Sequence, residues 1–456
     1  MLFSGLIEVR NNLLNIVYSV YGLSLYICHR NNMNTLTLKI MKSIKFFIWL
    51  ILVLLGTNLQ AQVSPKSGIW RGVFTIFNGQ ESPFNFELNG STVFLLNGSE
   101  RFELKNVSQK GDSLFIPVDI YDAVLSAKIE SPTVLSGRFK KLNTANPDAG
   151  ISFKAESGRK YRFFENPVSA EVSLNGKWDV IVGNGPNGGN KTVGVFEQSG
   201  SKLTGTILST TGDYRFFEGT VKGDEFFLSA FSGSSPSLIK GKISGDNLTG
   251  EIIGVRGVTA IKGTRNAEAA LPDAYSLTKV KEGTKFDFSL PDAFSGKLVS
   301  LKDEKYKGKA VIVTILGSWC PNCIDEASFL APWYKANRNR GVEIIGLSFE
   351  RKNDPAFAKT RLETLKKRFG IDYDILFAGV ADKKQVSSVL PALSDFLSFP
   401  TTILVDREGN VSKIHTGYTG PATGKYYEEF VKEFNKDVNE LLGSGQSKST
   451  HNQSGK

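Results

Sequence analysis

Two thiols stand three positions apart in the stretch Gly317-Ser318-Trp319-Cys320-Pro321-Asn322-Cys323-Ile324-Asp325-Glu326. Cysteines at this spacing can ligate a metal, staple a loop or exchange electrons. The apolar run Ala310 to Leu316 reads as a strand covered on both faces and the residues after Cys320 as a helix, so Cys320 falls at the helix entrance. Pro321 suits the first helical position, where a missing N–H costs nothing. Unpaired backbone N–H groups and the positive end of the helix dipole then face the Cys320 sulfur and favour its thiolate, the attacking nucleophile. Cys323 lies on the same helix face, placed to resolve a mixed disulfide.

The competing chemistries fare less well. A structural zinc needs four ligands, and beyond the two thiols the chain after residue 61 offers only His415 and His451. Copper delivery by both thiols with His415 stays open on residue types alone. A Cys-x-x-Cys staple closes almost no chain entropy, so it adds little stability. No metal and no cofactor are expected.

The elements that must hold this site follow from the rest of the chain. A length of 456 residues calls for two or three domains, and 45 glycines with 32 phenylalanines describe packed, turn-rich material. The net charge of +10 comes from Lys and Arg scattered among acids, which excludes a nucleic-acid footprint and leaves a solvated, mildly basic surface. From Met41 a pair of lysines, the apolar run Phe46 to Leu55 and a polar close at Ala61 resemble a secretory leader. Residues 41–61 are therefore expected to be a signal peptide and 1–40 an over-extended start; the alternative is a membrane segment around Leu13 to Tyr26. Cys28 lies ahead of the leader, so an exported chain keeps only Cys320 and Cys323 and no disulfide framework. The expected location is the periplasm or cell envelope.

From Ser67 to about Gly263 short alternating runs broken by Gly, Asn, Ser and Asp predict antiparallel strands. Four pairs recur at a nearly constant offset: Gly68-Ile69-Trp70 with Gly176-Lys177-Trp178, Arg101-Phe102 with Arg215-Phe216, Gly111-Asp112 with Gly223-Asp224, and Leu135-Ser136-Gly137 with Leu248-Thr249-Gly250. A tandem repeat of β-meander barrels or sandwiches follows, 62–168 and 169–263, against the alternative of chance recurrence in Gly-rich material. Catalytic constellations are missing from this stretch, and an envelope ligand is the expected business of the β-rich region. Residues 264–285 read as a linker. Beyond it, apolar runs at Val342 to Phe349 and Thr401 to Asp406 join Ala310 to Leu316. They alternate with helical stretches Ile324 to Asn337, Pro355 to Phe369, Asp382 to Phe396 and a last amphipathic one, so 286–442 is an α/β layer domain and 443–456 a flexible tail.

Trp319-Cys320-Pro321-Asn322-Cys323 after a buried strand, with Phe399-Pro400-Thr401 before another, resembles the thioredoxin superfamily, and within it the exported TlpA/ResA-like thiol-disulfide oxidoreductases. The likeness spans about Asp273 to Leu442. It implies a thioredoxin-like C-terminal domain, a cis proline at Pro400 whose loop lies against the disulfide, and substrate contacts at Trp319, Pro321, Asn322 and Phe399. It also implies that Glu326 is the branch's buried acid, able to take the Cys323 proton. Two features depart from the branch: Ser328 stands where a helix-kinking proline is usual, with Pro332 four residues later, and the Pro-Asn dipeptide leaves the redox direction unread. The expected activity is reduction of disulfides in cysteine-containing envelope proteins, such as apocytochromes or oxidised envelope partners, with electrons from a membrane thiol donor. A peroxiredoxin-like peroxidase and a non-enzymatic envelope binder built on the β-rich region are the alternatives.

Overall fold

The computed structural model describes residues 63–443 apart from 143–145, 147–148, 167 and 185–187, together with Ser43 and Phe46. The expected leader and start, Cys28 and the tail beyond 443 lie outside the described residues. No helix among the described residues is long and apolar enough to cross a membrane.

Alternation of buried and exposed positions builds two nine-stranded antiparallel sheets, one from Gly68–Thr75 to Gly150–Ser157 and one from Gly176–Val182 to Val258–Arg265. In the second, strand Asn190–Ser199 pairs with both Gly176–Val182 and Lys202–Ser209 and so closes a barrel. The first ends at strands Glu100–Leu104 and Ser108–Lys110, which do not pair with each other, and is a half-barrel. Gly111-Asp112 and Gly223-Asp224 fall at equivalent hairpins, between the fifth and sixth strands of their sheets. Each glycine takes a left-handed φ, 62° and 57°, that the tight turn requires. Trp70 and Trp178 are fully buried in the two first strands, and each indole N–H donates to a carbonyl four residues upstream, Lys66 at 2.9 Å and Leu174 at 2.8 Å.

Replacing Trp178 by alanine leaves a cavity and an unpaired Leu174 carbonyl. It is expected to cost about 3–5 kcal/mol in urea unfolding; a loss under about 1 kcal/mol would mean that the barrel core does not depend on this ring.

The two sheets are welded by the segment between them. Arg162 is buried and donates to the Leu96 carbonyl at 2.9 Å and Asn97 Oδ1 at 2.7 Å in one sheet and to Ser229 Oγ at 2.9 Å in the other. Burial lowers its pKa to about 10, which still leaves it charged near neutrality.

The C-terminal unit is a five-stranded mixed sheet in the order Asp374–Val380, Val342–Glu350, Ala310–Leu316, Thr401–Val405, Val411–Thr416. The first three run parallel and the last two join antiparallel. Strand alternation divides the core in two. Ala310, Ile312 and Leu316 face helices Pro321–Asn337, Pro355–Phe369 and Lys425–Gly443, while Val311, Val313 and Ile315 face Phe286, Phe288 and Val386. The fold is thus an α/β thioredoxin-like unit preceded by an all-β region.

Three expectations need correction. The helix expected over Asp382 to Phe396 covers only Lys383–Val389, because Pro391 supplies no N–H and disfavours helix at Leu390 before it. Leu393–Ser394 then pairs as a short strand with Lys279–Val280, so the 264–285 stretch is docked, with Tyr275 Oη also donating to Asp437 at 2.7 Å. Strands Asp374–Val380 and Val411–Thr416 are additions to the three apolar runs read from the sequence.

Candidate functional site

Strand Ala310–Leu316 delivers the chain to the Gly317-Ser318 turn, and Cys320 is the N-cap of helix Pro321–Asn337, with Pro321 at the first position. The Cys323 N–H donates to Cys320 Sγ at 3.2 Å, so an otherwise orphan amide of the first turn is aimed at the sulfur. The helix axis adds its positive end at the same place. Cys320 and Cys323 form a disulfide with their Cα atoms 5.2 Å apart, and the two residues keep only 5 % and 2 % of their surface exposed. The Phe399–Pro400 peptide is cis, and the Phe399 carbonyl lies 3.5 Å from Cys320 Sγ. Trp319 packs edge-on against Phe399 and donates its indole N–H to the Phe349 carbonyl at 3.0 Å. Pro321 and Asn322 are half-buried beside the disulfide.

Glu326 lies under the helix. Its two oxygens accept from Thr314 Oγ1 and Thr402 Oγ1, each at 2.5 Å. These hydroxyls come from neighbouring antiparallel strands in which Thr314 is the register partner of Thr402, both on the helix-facing side. Burial lifts Glu326 to about 7, against the pull of the two threonine bonds. Such a carboxyl changes charge near neutral pH, as a proton acceptor for a thiol must.

The helix runs unbroken through Ser328, whose Oγ donates to the Asp325 carbonyl at 2.7 Å, and includes Pro332, which withholds the N–H that Ser328's carbonyl would receive. His415 turns its ring to Tyr275 and Phe430, with Nδ1 3.1 Å from the Gly417 carbonyl. Among the described residues no group of three His, Cys, Asp or Glu is set to hold a metal.

Sequence reasoning missed four neighbours. Thr314 and Thr402 depend on strand register. Glu350, at the end of the adjacent strand, accepts from the Ser318 N–H at 3.0 Å and from the Ser318 and Ser348 hydroxyls, each at 2.7 Å, and so fixes the turn before Cys320. Asp325 pairs with Arg215 of the second barrel at 3.0 Å.

Residues 280–429 match the Redoxin family model. The thiol-disulfide oxidoreductase ResA of Geobacillus thermodenitrificans is 30% identical over 146 residues, which are 32% of this chain and 75% of that protein. ResA of Bacillus subtilis is 31% identical over 131 residues, 29% of this chain and 64% of the relative, so the chain spans a little under two thirds of that protein's length. Among solved structures, a thioredoxin-family thiol:disulfide interchange protein from Chlorobium tepidum is 23% identical, with 36% of this chain and 99% of that chain covered and a TM-score of 0.26. The Redoxin match begins after the last strand of the second barrel, so neither β sheet takes part in it.

Proposed function

Because the chain belongs to the TlpA/ResA-like thiol-disulfide oxidoreductases of the thioredoxin superfamily, we propose that it reduces disulfides of partner proteins in the cell envelope. The observation that carries this reading is the Cys320 sulfur at a helix N-cap, its mate one turn deeper and the Phe399 carbonyl beside it. In the reduced protein the Cys320 thiolate attacks one sulfur of a partner disulfide. A Cys320–partner bond forms, the partner's S–S bond breaks, and its second sulfur leaves as thiolate. Cys323, giving its proton to Glu326, attacks Cys320 Sγ. The enzyme disulfide forms as the Cys320–partner bond breaks, and the partner leaves as two thiolates, protonated from solvent and two electrons richer. The backbone at Phe399 guides an extended partner segment along the site, with Trp319 and Pro321 as its floor, while the Asn322 side chain lies under the barrel tip.

Restoring the dithiol takes two electrons and two protons from another thiol pair, a role suited to a membrane thiol donor. The leader-like residues 41–61 support an envelope location. The midpoint potential of the Cys320/Cys323 couple tests the direction. A reductase is expected near the thioredoxin value of about −270 mV, and a potential near about −120 mV would reverse the assignment to an oxidase.

A further inference from the structure

The face of the active-site helix that carries Asn322 and Asp325 is covered by the second barrel. The hairpin tip after strand Lys202–Ser209 reaches it so closely that a Cβ on Gly212, at φ +129°, would sit 2.0 Å from Asn322 Nδ2 and 3.3 Å from the Tyr418 carbonyl oxygen. Across the same contact a Cβ on Gly417, at φ +80°, would lie 3.0 Å from the Thr211 carbonyl carbon. Glycine on both sides lets the two backbones approach this far. Behind the tip, the Gly420 N–H donates to Asp213 Oδ2 at 2.7 Å. Arg215 then joins three parts of the molecule, donating to Glu100 Oε1 of the half-barrel at 2.6 Å and pairing with Asp325 Oδ1 of the active-site helix at 3.0 Å. Burial alone would lower the Arg215 pKa, but Asp325, Tyr121 and Glu100 outweigh it and raise it, so the guanidinium stays charged.

Resting on the reductase reading above, we propose that this wall is a specificity element of the thiol site: tip Thr210 to Gly212 and Arg215 close the Asn322/Asp325 side. They leave approach along Trp319 and Phe399, which admits an extended disulfide-bearing segment and turns away the disulfide of a folded domain. A strand-like segment needs only the Phe399 backbone and a path to a sulfur on a residue that is 5 % exposed. A folded partner must lay down an interface of roughly 800 Å² on its side, and here the rim it would use is occupied. The wall is also imperfectly paired: Asn322 Oδ1 and Arg215 Nε are buried with no hydrogen-bond partner among the described residues. Such a contact is built for position more than for strength.

The test is single-turnover oxidation of the prereduced full chain, followed by tryptophan fluorescence, with oxidised glutathione as the small disulfide and insulin as the folded one. Arg215→Gln removes the charge that ties the wall to the helix, and Gly212→Ala pushes the tip off Asn322. Thermal melts beside the parent show which variant folds, and either folded variant suffices. The insulin-to-glutathione rate ratio is expected to rise at least tenfold in each. A ratio within twofold of the parent overturns the wall while leaving the reductase reading intact. If parent and variants all fail to react with oxidised glutathione, both the reductase reading and the wall fall.

Discussion

Replacing Cys320 by serine is expected to lower the rate of disulfide exchange at least ~10³-fold, because a hydroxyl is a far weaker nucleophile than a thiolate and the remaining thiol, Cys323, is only 2 % exposed. The N-cap geometry makes the loss specific. The Cys323 amide is aimed at the Cys320 sulfur and the helix begins there, so negative charge is stabilised at that atom. Cys323 sits a turn deeper and almost closed off. Cys323→Ser should therefore behave differently: it still attacks, but cannot resolve, and partners stay attached as mixed disulfides that separate on a gel only after reduction. A Cys320→Ser protein that retains more than about a tenth of the parent rate, or one that accumulates the mixed disulfides instead, would move the nucleophile to Cys323 and undo the mechanism.

The thiol pair and its helix were legible because their signals are local, whereas the acid at Glu326 was marked by the family resemblance. A buried strand, a proline at the first helical position and an i, i+3 spacing all fall within about a dozen residues. Thr314 and Thr402 were not legible, since each becomes a partner of Glu326 only through the register of two strands far apart in sequence. Arg215 is the more instructive case. With Phe216 it recurs against Arg101-Phe102 in the sequence, yet the two arginines differ in role. Arg101 makes an exposed pair with Glu87, whereas Arg215 is buried between Glu100 and Asp325. Arg101 lies inside strand Glu100–Leu104, whereas Arg215 lies between strands Gly212–Asp213 and Phe217–Lys222, and a recurring dipeptide does not tell which copy will meet the active-site helix. The over-long helix at Asp382 to Phe396 has a simpler cause, in that apolar spacing ran on past a proline that stops the backbone pattern.

Glu326→Gln is expected to slow resolution of the mixed disulfide by roughly 10²–10⁴-fold above pH 7, the usual contribution of a positioned proton acceptor. In the parent the rate of that step should rise with pH and level off near 7, where burial has placed the Glu326 carboxyl. In the variant that inflection should be gone. Stability separates this role from a merely structural one. The carboxyl moves from an ordinary value of 4.5 to about 7 on folding, so the folded state holds its proton more tightly. Its stabilising contribution is complete below pH 4.5 and is lost as pH rises through 7, a difference of about 3 kcal/mol at ~1.4 kcal/mol per unit of the shift between those values. Glutamine cannot titrate, and its amide can still meet both threonine hydroxyls. Urea unfolding of the oxidised proteins should therefore move in favour of Glu326→Gln by that amount between pH 4.5 and 8. If the stability difference appears but the rate keeps its inflection near 7, the proton goes elsewhere. Asp325 is then the group to test, because burial lifts it to about 7 as well while Arg215 pulls the other way.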